Sequence, residues 1–190
     1  MDELVQWLRA QLDEDGLWAT EASRQDDGLA AEGGVHWQWV DTATDKEVVP
    51  DPSRERRVGE EAEANVALRS RETWPTGCGV GDLPQFAIYR AEDVPSAVGG
   101  HIVRHDPARV LREIDAKRLL LADHPIVPET YPRARVGGQE VGGPHFPFGC
   151  ENCHVEHDTG EVHGFGYCLI WKALALPYAD RPGYREEWRP

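Results

Sequence analysis

The stretch that most constrains this chain is residues 150–168, CENCHVEHDTGEVHGFGYC, which holds three of the four cysteines and three of the eight histidines. Cys150 and Cys153 stand two residues apart, and His163 and Cys168 follow in the spacing C-x2-C-x9-H-x4-C. Two thiolates on one tight turn supply two vertices of a tetrahedral zinc site, and a distant His and Cys supply the other two. The second half repeats the H-x4-C of a zinc knuckle, with a longer middle loop. Cys168 opens a predicted helix, where the positive end of the helix dipole favours a thiolate. The expected metal ligands are therefore Cys150, Cys153, His163 and Cys168, a CCHC set, with Zn2+ as the cofactor and a structural role for it.

The same stretch admits other readings. His157 closes a shorter loop and competes with His163 for the histidine vertex, whereas His154 is too close to Cys153 to reach the same ion. C-x-x-C-H at 150–154 also fits haem attachment, but that requires an exported chain and a suitable axial ligand, and the only methionine is Met1. A histidine-metal nuclease would use His157, Asp158 and His163 to activate water and hold Mg2+. The spacing here differs from that motif, and the reading takes His163 from zinc. His101 and His105 lie one turn apart and read as the end of a helix rather than as a second site. Cys78 has no Cys or His near it and reads as a spectator.

Net charge is −14, and residues 1–64 carry 6 Lys/Arg against 17 Asp/Glu. Nucleic-acid binding draws its affinity from neutralised phosphate, so this balance argues against it. The expected partner is a protein. No run of eighteen apolar residues suggests a membrane span, and the acidic N-terminus lacks the features of a signal peptide. Both point to the cytoplasm, where thiols stay reduced and serve metals rather than disulfides.

Periodicity supplies the rest of the plan. Leu4, Leu8 and Leu12 recur every four residues and predict a helix over 2–15. Strands are expected at 35–40, 46–49 and 83–90. GEEAEANVALRSRE, at 59–72, favours helix by propensity. Asp106 followed by Pro107 is a helix start, with a shorter helix ending just before it. Residues 125–149 hold five Pro and five Gly and read as an extended loop or linker without regular structure. A short helix runs from Cys168 to Leu176, where Pro177 ends it.

MDELVQWLRAQLDED, GGHIVRHDPARVLREIDAKRLLLADH and CLIWKALALPYADRPGYREEWRP together resemble a family of small uncharacterised proteins from actinobacteria and their phages, known as a domain of unknown function. The resemblance implies such an origin. It also implies a Cys pair ahead of H-x4-C and the ALPYAD phrase, places that Cys150, Cys153, His163 and Cys168 occupy here. It implies no activity.

The expected fold is α+β: a small antiparallel sheet from 35–49 and 83–90, packed against helices at 2–15 and 106–122, with a zinc-stapled C-terminal module. The expected division is 1–124 as the core, 125–149 as the loop and 150–190 as the zinc module. The expected function is that of a small zinc-binding interaction or accessory protein, not an enzyme. The alternatives are a metal-dependent nuclease and an acidic nucleic-acid mimic that binds a basic protein.

Overall fold

The structure is a computed structural model. It describes residues 3–23, 34–48, 66–74, 81–85, 87–88, 94–128, 135–136, 139–140, 148–154 and 167–190. Among these residues five helices and ten short strands give the α+β architecture expected from the sequence. The first helix, α1 (Glu3–Ala22), runs seven residues past the expected end at Asp15. Gly16 costs a helix only about 1 kcal/mol, and the favourable residues around it carry the helix through. Leu4, Leu8 and Leu12 are fully buried, as their four-residue spacing requires. No helix among the described residues is long and apolar enough to cross a membrane.

By contacts the chain forms two compact units, residues 15–113 and residues 1–14 with 114–190. The division falls inside α1 and inside the third helix, α3 (Pro107–Asp123).

The unit of residues 15–113 is built on a four-stranded antiparallel sheet. Strands β1 (Trp37–Asp41), β2 (Lys46–Glu47), β3 (Val66–Ser70) and β6 (Ala87–Ile88) lie in the order β2-β1-β3-β6. The β1–β2 turn is fixed by Asp41, whose Oδ1 accepts from the amides of Ala43 and Thr44. Asp45 follows at φ 54°, a conformation that Asp tolerates better than most residues. Trp39 pairs with Leu68, and Asp41 with Val66. Trp39, Val66 and Leu68 thus share one face, packed against Ile102 and Val103 of α2 (Ser96–Arg104). Val40 and Ala67, on the opposite face, are also buried.

Two sequence expectations give way here. Residues 66–70 are strand rather than part of a helix over 59–72, and 59–65 lie outside the described residues. VALRS occupies an interior position of the sheet, and burial on both faces outweighs a weak helical preference. The expected strand at 83–90 is two short strands. β5 (Leu83–Pro84) pairs with β4 (Thr73–Trp74), whereas β6 joins the main sheet. Pro84 has no amide to donate, which suits it to a two-stranded ladder, where each strand is an edge.

Gly99 of α2 lies against the Trp39 ring, where a Cβ would sit 3.0 Å from three ring atoms. A buried indole held between a sheet and a helix cannot move aside freely. Gly99→Ala is therefore expected to destabilise the protein by about 1–3 kcal/mol through overpacking. A denaturant midpoint unchanged from the parent would count against this packing.

The break between α2 and α3 falls where Asp106-Pro107 predicts it. Asp106 Oδ1 accepts from the Arg109 amide at 2.8 Å, and the Asp106 carbonyl accepts from the Val110 amide. The Ala108 amide donates to the Val35 carbonyl, tying the start of α3 to the lead-in of β1. Asp106→Ala removes the cap and is expected to cost about 0.5–2 kcal/mol, measured by urea unfolding. A cost near zero would show that the cap contributes nothing.

The second unit gathers an aromatic cluster around α1. The Trp7 ring lies 5.3 Å from Trp188, 5.8 Å from Tyr184 and 6.4 Å from Tyr178. Trp7 Nε1 donates to the Pro182 carbonyl. Exposed ion pairs from Asp13 to Arg118 and from Glu3 to Arg185 follow the same seam. The unit also contains β7 (Ile126–Pro128), β10 (Phe148–Cys150), α4 (Glu151–His154) and α5 (Leu169–Ala175). Strands β8 (Arg135–Val136) and β9 (Gln139–Glu140) pair with each other. The 125–149 stretch therefore does contain regular structure. Pro128 is tolerated in β7 because that ladder has only two strands, so it needs no amide partner on its outer side.

Candidate metal centre

α3 ends one residue before His124, whose amide still donates to the Leu120 carbonyl. Pro125 cannot continue the helix, and the chain turns into β7. β7 runs antiparallel to β10 with Ile126 opposite Cys150, and the Glu151 amide extends the ladder by donating to the Pro125 carbonyl. This register sets His124 beside the short α4 that follows Cys150. Asn152 Nδ2 reinforces the junction by donating to the Asp123 carbonyl. Cys168 arrives at the N-terminal cap of α5, and Trp171, one turn further on, donates from Nε1 to the His124 carbonyl at 2.9 Å.

Four side chains converge as a result. His124 Nδ1 lies 3.3 Å from Cys150 Sγ, 3.5 Å from Cys153 Sγ and 3.7 Å from Cys168 Sγ, and Cys153 Sγ lies 3.4 Å from Cys168 Sγ. All four ligand atoms fall within 4.8 Å of one another. Zinc bonds of about 2.3 Å to sulfur and about 2.0 Å to nitrogen place tetrahedral ligands roughly 3.5 Å (N to S) and 3.8 Å (S to S) apart. The three nitrogen-to-sulfur spacings sit close to the first value, whereas the Cys153 and Cys168 sulfurs stand closer together than the second. The cluster can hold a metal ion. The other ring nitrogen of His124, Nε2, faces Asp123 Oδ2 at 3.7 Å, beyond hydrogen-bond reach.

Cys150 and Cys168 are buried, His124 is partly buried and Cys153 is exposed. Loss of water by burial pushes the Cys150 thiol above its ordinary value, and the nearby Cys168 adds to this. Although the Cys153 residue is exposed, loss of water around its sulfur, together with hydrogen bonds to the Cys168 and Cys150 thiols, pushes its thiol up to about 12. Three sulfurs this close cannot all carry negative charge without a cation among them. A bound metal reverses the balance and deprotonates the thiols outright.

Of the four expected ligands, Cys150, Cys153 and Cys168 lie together in this cluster. The fourth member of the cluster is His124, which local spacing did not reveal. His163 lies outside the described residues, as do His157, Asp158 and Cys78, and nothing is described of the His154 side chain. The His124 signal is one of long range: a His-Pro at a helix end, followed by an apolar IVP that can pair with FGC across a Pro/Gly-rich stretch. His101 and His105 stack with ring centroids 4.1 Å apart at the exposed end of α2, and His105 Nδ1 bonds the His101 carbonyl. They belong to no group of three or more metal-ligating side chains among the described residues.

Fold and site together define a small α+β protein in which one histidine and three cysteines form a cluster able to hold a metal ion. The chain belongs to the Family of unknown function (DUF6221), whose model matches residues 1–190. No curated protein and no solved structure matches it.

Proposed function

We propose that this protein binds one structural Zn2+ through Cys150, Cys153, Cys168 and His124, and acts as a non-enzymatic interaction or accessory protein. The observation that carries this reading is the position of His124 Nδ1, 3.3–3.7 Å from all three sulfurs. Three thiolates and one imidazole are soft and borderline ligands, which select zinc over harder ions. Four protein ligands complete a tetrahedron and leave no vertex for the water that a catalytic zinc requires. The ligands also come from the ends of α3, β10 and α5 and from α4, so the ion joins elements that are distant in sequence. The partner we expect is a protein that recognises an acidic surface, given the −14 charge.

The test is elemental analysis of the parent and two variants. Parent protein purified without chelator should hold about one zinc per chain. His124→Ala should lose zinc affinity by at least about 10-fold, whereas His163→Ala should retain the parent's stoichiometry and affinity. Zinc lost from His163→Ala and kept by His124→Ala would give the fourth vertex to His163. Parent protein without zinc would sink the proposal.

A further inference from the structure

We infer that the metal centre is also a peroxide-responsive switch, in which Cys153 and Cys168 form a disulfide and release the ion. The inference rests on the zinc reading above.

The three sulfurs of the cluster are unequal. Cys150 and Cys168 are buried to 0% and 1% exposure, whereas Cys153, on α4, is exposed. Cys153 is the one cysteine of the cluster whose residue reaches the surface, so a small hydroperoxide approaches the sulfurs from its side. Zinc-bound sulfur keeps thiolate character, the form that attacks peroxide. The Cys153 sulfur attacks one peroxide oxygen. The O–O bond breaks, an S–O bond forms, and the departing oxygen takes up a proton and leaves as alcohol or water. Cys153 is now a sulfenic acid.

A resolving thiolate already stands beside it. Cys168 Sγ is 3.4 Å from Cys153 Sγ, and a disulfide needs the two sulfurs at about 2.05 Å. Attack by Cys168 forms the S–S bond, breaks the S–O bond and expels hydroxide, which takes up a second proton to become water. The two sulfurs lose two electrons and the hydroperoxide gains them. Only His124 and Cys150 then remain as ligands, so the ion leaves. The pairing joins α4 to the N-terminal cap of α5 and spans 15 residues of sequence. The bond is thus made between the elements that the ion held together, and reduction followed by zinc should restore the original state.

The experiment uses zinc-loaded protein carrying Cys78→Ser, which removes the fourth cysteine of the chain. Zinc content is measured first, before any oxidant. Hydrogen peroxide is then added in the presence of a chromogenic zinc indicator, and peptides are mapped by mass spectrometry without reduction. The expected result is release of about one equivalent of zinc, in step with a Cys153–Cys168 linked peptide, and uptake of zinc again after dithiothreitol. A chain that holds zinc but keeps it under peroxide overturns the switch and leaves the zinc reading intact. Zinc release with a Cys150–Cys153 linkage, or with sulfinic acids and no disulfide, also overturns it. A chain without zinc at the start overturns both.

Discussion

Removing the proposed zinc, by chelation or by Cys153→Ser, is expected to have the largest effect of any change to this protein. Structural zinc sites bind with roughly 10–16 kcal/mol near neutral pH, and where the site does not exist in the unfolded chain this energy is folding energy. A domain is stable by only about 5–15 kcal/mol, so loss of the ion should melt β7, β10, α4 and α5. No ligand of the cluster comes from residues 15–113, and the sheet around Trp39 and Leu68 should persist. Hydrogen exchange reads the difference: amides of 126–127, 148–154 and 169–175 should lose protection while those of β1 and β3 keep theirs. A Cys153→Ser protein as protected as the parent across these segments would refute a structural role for the metal.

Stability of the zinc-loaded protein should fall as pH falls, because metal ligands must be deprotonated and protons compete for His124 and the thiolates. Melts of zinc-loaded protein at stepped pH measure this, and a midpoint that does not drop on acidification before the metal is released would count against ligation through these side chains.

Trp171→Ala is expected to have the next largest effect. Trp171 is fully buried at the start of α5, its ring 6.4 Å from that of Phe148 on β10. Truncating a buried Trp typically costs about 3–5 kcal/mol through lost transfer energy and the cavity left behind. Here it also strips the donor from the His124 carbonyl, which fixes the backbone of a residue of the His/Cys cluster. Trp171→Phe keeps a six-membered ring in the pocket but loses the donor and part of the indole volume, so it should cost less than Trp171→Ala, roughly 1–3 kcal/mol. Denaturant unfolding of zinc-loaded protein measures both. A Trp171→Ala cost below about 1 kcal/mol would show that the indole carries little of the packing in this unit.

Local signals in the sequence were reliable wherever the deciding interaction was itself local. The Leu4-Leu8-Leu12 spacing, the Asp106-Pro107 start and the Cys168 helix boundary each reflect contacts within one or two turns, and each appears in the structure. VALRS misled because its environment is set by strands far from it in sequence. His124 escaped notice for the same reason. It stands 26 residues before Cys150, and only the pairing of Ile126 with Cys150 brings it to the sulfurs. Residues 125–149 read as a loop because Pro and Gly density reports on backbone freedom. It does not report whether two edge strands can still find each other.

That pairing has a consequence for how the chain can vary. The β7–β10 ladder and the His124–Cys150 contact together clamp both ends of the stretch between Pro128 and Phe148. With its ends held at a fixed separation, lengthening such a stretch adds only closure entropy, about 0.6 kcal/mol for each doubling. The His/Cys cluster is thereby insulated from changes in the length of the chain between those ends. A foreign segment spliced in there should leave the same four side chains together.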